Sequence, residues 1–152
     1  MSATDAPLGR DPRPSTEAPL SDPLWPDLLP GIHRFASRSA TAALRRRLSR
    51  TGWAVAVVDL AGSADKLTVL DAFARGLAFP GWVGHNWDAL DDALRDLSWW
   101  PAGPRGRVIV IRGAARSTTG TPRDREQLQD VMTNATARWA ATETPLVVLL
   151  RR

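Results

Sequence analysis

Between residues 53 and 150 the apolar positions follow two patterns, and each predicts a different element. Trp53-Ala54-Val55-Ala56-Val57-Val58, Val108-Ile109-Val110-Ile111 (entered from Arg107) and Leu146 to Leu150 are unbroken apolar runs. Short runs of this kind, rich in β-branched residues, predict strands buried on both faces, as in a parallel sheet. Between the runs, apolar residues recur three or four apart. Leu67, Leu70, Ala74 and Leu77 predict one helix, ending near Gly76. Trp87, Leu90, Leu94 and Leu97 predict a second, and Leu128, Val131, Met132 and Ala135 a third.

The punctuation agrees with this division. Ser63 is the expected N-cap of the first helix, with Asp65 in its first turn, and Asn86 the expected N-cap of the second. Pro101 and Gly103-Pro104 stop the second helix. Thr121 with Asp124 makes a capping-box-like pattern, and Pro122 suits the first helical position. Upstream, Gly31 to Phe35 predicts a short edge strand. Ala42, Ala43, Leu44 and Leu48 predict a short helix capped by Ser39 and stopped at Gly52. The order is strand–helix, then strand–helix–helix–strand–helix–strand. It predicts an α/β fold: a small parallel sheet of three to four strands packed with helices.

Seven of the twelve prolines fall in residues 1–30, among Ser, Thr, Asp and Gly. Such a stretch buries too little apolar surface to offset the entropy of ordering. Residues 1–30 are therefore expected to be a flexible tail, with Leu24, Trp25, Leu28 and Leu29 docking as an apolar latch. Residues 31–52 form an expected strand–helix extension, and 53–152 the main domain.

The 152 residues contain no cysteine, which excludes a disulfide scaffold, a thiolate metal site and a cysteine nucleophile. Twenty basic residues against 16 acidic give a net charge of +4, and Lys66 is the one lysine among them. No run approaches the roughly 18 apolar residues of a membrane span. The opening MSATDAPLGRDPRP has no apolar core of a secretory signal, so no membrane partner and a cytoplasmic location are expected. No Ser-His-Asp order, phosphate-binding P-loop or G-x-G-x-x-G is present, and neither enzymatic activity nor a cofactor is expected.

One segment runs against the basic balance. Residues 81–101 hold four acids and one arginine, a local charge of −3. On a helical wheel Asp88, Asp92 and Asp96 stack opposite the apolar stripe, with Asp91 and Arg95 on the flanks. Like charges at i, i+4 cost a helix roughly 0.2–0.5 kcal/mol per pair, and Asp is a poor mid-helix residue. Asp88 is excused by the positive end of the helix dipole; Asp92 and Asp96 lie too far along. The row is either an ordinary wet face or a surface kept for a cationic partner. In the preceding loop Trp82 stands beside Gly84. Trp82 is either a core tryptophan under the loop or an exposed anchor of an interface, and glycine lets a partner backbone approach closely.

The stretch Pro80-Gly-Trp-Val-Gly-His-Asn-Trp-Asp-Ala-Leu-Asp-Asp-Ala-Leu resembles the signature of the barstar family of ribonuclease inhibitors, and the element order from 53 to 150 matches as well. The resemblance implies a small α/β domain whose acidic helix and preceding loop plug the active site of a guanyl-specific, barnase-like ribonuclease, one to one. It assigns Trp82 to the aromatic loop position, Gly84 to a backbone contact, Asn86 to the helix start, and Asp88 and Asp92 to the two key carboxylates. Asp91 and Arg95 complete the expected partner-binding set. They depart from the family's type member, which has Trp and Thr there; His85 departs too, standing where that member has an acid, and its late-helix acidic contact has no clear counterpart near Asn134 to Arg138. Three other readings compete. The same fold serves a different toxin or partner; Arg45, Arg46 and Arg47 with exposed tryptophans make an RNA-binding module; or Asp88 and Asp92 hold Mg²⁺ with His85 as base, a site short of ligands.

Overall fold

The computed structural model describes residues 28–35, 40–114 and 120–151. Among them are four strands, β1 (Gly31–Phe35), β2 (Trp53–Asp59), β3 (Gly106–Arg112) and β4 (Leu146–Arg151). The four helices are α1 (Thr41–Arg50), α2 (Lys66–Gly76), α3 (Trp87–Asp96) and α4 (Pro122–Ala140). The strands form one all-parallel sheet in the order β1-β4-β3-β2. The parallel α/β fold expected from the sequence is therefore the fold observed, with the edge strand at 31–35 as its fourth member.

Topology dictates where the helices go. The chain crosses the whole sheet from β1 to β2, then returns one strand at a time to β3 and β4. Parallel crossovers are right-handed almost without exception, so a reversal of direction moves the connecting helices to the other face. Two core clusters record the result. Phe35, Leu44 and Leu48 pack on Val55, Val108, Val110, Val147 and Leu149 beneath α1. On the opposite face Ala56, Val58, Ile109, Ile111, Leu146 and Val148 meet Val69, Phe73, Leu90, Leu94, Leu128 and Met132 of α2, α3 and α4. Both faces of β3 are thus buried, which is why its sequence does not alternate.

Several local expectations are corrected. The N-cap of α2 is Asp65, not Ser63; Asp65 and Thr68 form a reciprocal box, with Thr68 N–H donating to Asp65 Oδ1 at 2.9 Å. Ser63 is buried instead. Leu67 is 59% exposed, because the buried stripe runs through Val69, Leu70, Ala72 and Phe73 and Leu67 lies on the opposite side of the helix from its centre. The N-cap of α1 is Ala40, which has no side chain to cap with; Ser39 lies outside the described residues. Leu97 closes α3 as its cap in the left-handed region (φ 50°) and is fully buried there. Of the expected latch, Leu28 packs on the α1-side cluster and Leu29 is exposed; Leu24, Trp25 and the rest of the tail to residue 27 lie outside the described residues.

Two caps carry an acid dependence. Asp65 is held below the ordinary carboxylate range chiefly by the Thr68 backbone N–H, and Asp124 chiefly by that of Thr121. In the unfolded chain both return to about 3.9, so over the interval below that value the unfolded state binds more protons. Their stabilisation is complete above this range and is lost as pH falls through the folded pKa values. Urea unfolding between about pH 6 and pH 2.5 should show a shallower acid limb in Asp65→Asn and Asp124→Asn than in the parent. Identical slopes in all three proteins would refute the assignment.

Candidate functional site

The helix bearing the acidic row is fixed at both ends. At its start Asn86 Oδ1 accepts from the Ala89 N–H at 2.7 Å, the cap read from the sequence. Trp87, the first helical residue, is buried and donates its indole N–H to Asp124 Oδ1 at 3.3 Å, tying α3 to the first turn of α4. The last carbonyls of a helix have no partner within it. Here three side chains supply donors. Trp139 Nε1 donates to Leu94 O at 2.8 Å, Arg138 Nε to Arg95 O at 3.2 Å, and Arg107 Nη2 to Leu97 O at 3.3 Å.

Arg107 is the unusual member of that group. It opens the apolar row of β3 and is only 7% exposed. Its contacts are carbonyls and rings, not carboxylates: Nε donates to Trp100 O at 2.7 Å, and Cζ lies 4.7 Å from the Trp139 ring centre and 5.9 Å from that of Trp100. Burial pulls its pKa below the ordinary arginine value, yet a guanidinium remains charged at neutral pH. The positive charge sits under the negative end of α3, where the helix dipole favours it.

With its ends held, α3 buries Trp87, Leu90, Ala93 and Leu94 and presents Asp88, Asp92 and Asp96 to solvent. Asp88 has no hydrogen-bond or ion-pair partner among the described residues. Asp96 accepts from the Ser98 hydroxyl at 2.8 Å. Asp91 and Arg95 are drawn together: Arg95 Nη2 is 2.9 Å from Asp91 Oδ2 and 3.0 Å from Asp92 Oδ1. The Asp91 side chain is 25% exposed, against 75% for Asp92. One arginine therefore engages Asp91 and one oxygen of Asp92; Asp88 is left without a partner among the described residues, and Asp92 keeps three quarters of its side chain exposed.

The loop before α3 is equally exposed. Trp82 is 66% exposed, with its ring edge-to-face on Trp99 (5.9 Å, 83°), and Phe79 meets Trp99 from another side (5.5 Å, 87°). Trp99 is fixed by its own indole N–H on Leu77 O at 2.9 Å. A Cβ added to Gly84 would meet only Ala89 Cβ at 3.5 Å and Asn86 Nδ2 at 3.7 Å, ordinary contacts. Space within this chain gives no reason for glycine there. His85 is exposed next to it. A cavity of about 150 Å³ lies behind the loop, among Leu70, Phe79, Val83 and Leu90.

The structure thus brings Trp82, Gly84, Asn86, Asp88 and Asp92 onto one loop-and-helix surface, with Asp91 and Arg95 at its side. Sequence reasoning missed the supports Trp99, Arg107, Arg138 and Trp139. An arginine leading an apolar run and the count of seven tryptophans were the available signals. Among the described residues no three His, Asp or Glu side chains converge to hold a metal ion, and no helix is long and apolar enough to cross a membrane. The three exposed arginines of α1, Arg45, Arg46 and Arg50, lie on the helix that covers the other face of the sheet.

No curated protein matches the chain. The family model for barstar, the barnase inhibitor, matches residues 53–151, which include α3, its loop and every side chain that braces them. With that match spanning well over half of its length, the chain belongs to the barstar family.

Proposed function

We propose that this protein is a non-catalytic inhibitor that blocks the active site of a guanyl-specific, barnase-like ribonuclease in a one-to-one complex, using α3 and the loop from Trp82 to Asn86. The observation that carries the reading is the solvent-exposed Asp88–Asp92 pair on a helix braced at both ends. A ribonuclease gathers cationic donors to hold phosphate and its developing charge. Carboxylates four residues apart on a rigid helix meet such a cluster with charge-assisted hydrogen bonds and so stand in for RNA phosphates. Aspartate is well suited to this, because its short side chain loses less rotamer freedom on binding than glutamate. Trp82, already packed edge-to-face against Trp99, adds rigid contact area, and Gly84 leaves its backbone open to a partner.

Long-range attraction to a basic enzyme comes from the local −3 segment alone, because the chain as a whole is positive. Its reach is about a Debye length, roughly 8 Å at physiological salt. In the cell the complex protects the cytoplasm from a nuclease made for export. Metal and membrane play no part, and RNA is not itself bound.

The test is titration of the purified protein into barnase-like ribonucleases, including any encoded beside it, while RNA cleavage is followed. Stoichiometric loss of cleavage supports the reading. RNA bound directly through Arg45 and Arg46, with cleavage unaffected, would replace it by an RNA-binding role. Binding to another toxin with no effect on any ribonuclease would keep the surface and change the partner.

A further inference from the structure

The arginine on the acidic face makes a more specific statement about the partner. Arg95 reaches both neighbouring carboxylates through a single nitrogen, Nη2. A guanidinium has five N–H donors. Those on Nε and Nη1 have no acceptor among the described residues, and the side chain is 43% exposed beside Asp92, whose second oxygen is also without a partner there. The backbone of Arg95, rather than its guanidinium, is held from beneath. Arg138 grips the Arg95 carbonyl, and Asp91, the second anchor of the guanidinium, has its other oxygen Oδ1 buried without a hydrogen-bond partner. Arg95 is thus poised on the surface rather than folded away.

Covering that surface with a partner has consequences. Charged N–H donors removed from water without acceptors weaken a complex, and a cleft lined only with cations would add like-charge repulsion. A carboxylate in the cleft removes both penalties. Cleavage of RNA through general acid–base catalysis calls for a proton acceptor beside the phosphate-holding cations, and a carboxylate can fill that role. Resting on the inhibitor reading above, we propose that Arg95 selects the target: it pairs with a carboxylate that lies among the phosphate-binding cations of the nuclease. Asp88 and Asp92 take the cations while Arg95 takes the acid. Partners whose clefts are purely cationic are disfavoured by the same residue.

The experiment is a double-mutant cycle read by titration calorimetry, since the enzyme variant is expected to be inactive. The probes are a guanyl-specific ribonuclease of the barnase type and the same enzyme with its cleft carboxylate changed to the amide. Each is titrated with the parent chain and with Arg95→Ala. Arg95→Ala should weaken binding to the unmodified enzyme about tenfold or more, and change binding to the amide variant by less than about twofold. Equal losses against both enzymes would show that Arg95 meets some other group and would overturn the proposal. So would unchanged or tighter binding of Arg95→Ala to both, while Asp92→Ala still weakens it; in that case the inhibitor reading stands. Absence of binding by the parent chain would sink the inhibitor reading and this proposal with it. Arg95→Ala should still melt cooperatively, with a Tm a few degrees below the parent, because it leaves the mostly buried Asp91 carboxylate without its cation.

Discussion

Replacing Asp92 by alanine is expected to weaken inhibition of the cognate ribonuclease by about 2–5 kcal/mol, roughly 30- to 5,000-fold, and to leave the fold intact. The range is the usual loss when one member of a hydrogen-bonded charge pair is removed from a covered interface, and it already includes complexes of this family. The two effects separate because Asp92 contributes almost nothing to the free protein. Its side chain is 75% exposed and its one ion pair, with Arg95, is a surface pair. Such pairs are worth about 0.3–0.5 kcal/mol on a helix, and alanine returns a similar amount through helix propensity and relief of the i, i+4 repulsion with Asp88 and Asp96. Arg46→Ala, on the far side of the sheet, should change inhibition by less than about twofold. Inhibition assays and melting curves on the two variants decide the matter. Small, equal losses from Asp92→Ala and Arg46→Ala would count against the assigned surface.

The second large effect concerns stability. Arg107→Ala should lower stability by about 2–4 kcal/mol, through lost hydrogen bonds from a charged donor and lost packing against two indoles. For a chain of this size that is a fall in Tm of about 5–15 °C. Arg107→Lys should recover little of it. An ammonium cannot lie flat between Trp100 and Trp139 while donating along two directions to the Leu97 and Trp100 carbonyls. Melting followed by circular dichroism measures both variants. A Tm within about 2 °C of the parent for Arg107→Ala would mean that the end of α3 does not depend on this residue.

These two residues also mark what the sequence makes legible. Asp92 was readable because a helical wheel needs only the residue spacing, and the apolar stripe of α3 is well defined. The buried strands, the Asn86 cap and the Thr121–Asp124 box were readable for the same reason: each is set by residues within a few positions of one another. Arg107 was not, because the groups that make its burial tolerable come from Leu97, Trp100 and Trp139, brought together only by packing. The start of α2 went wrong on a local ambiguity. Ser63 and Asp65 are both competent caps, and the reciprocal Thr68 hydroxyl favours Asp65; the apolar spacing of Leu67, Leu70, Ala74 and Leu77 also competed with that of Val69, Ala72 and Phe73, and the sheet took the second set together with Leu70. The capture of Asp91 and Arg95 into one cluster depends on rotamers, which spacing alone does not fix.

The sheet pairs Gly31 with Val147 and Phe35 with Arg151, and the tail of α3 is held by Arg138 and Trp139. Ribosomes deliver residues in order, so β1 waits for a partner more than a hundred positions downstream, and the acidic rod lacks its Arg138 and Trp139 supports until the second half of α4 has cleared the exit tunnel. Domains built on such distant pairings fold slowly. On the inhibitor reading proposed above, a half-made chain would not yet bind its target, so synthesis of the inhibitor would have to begin before that of the enzyme it blocks.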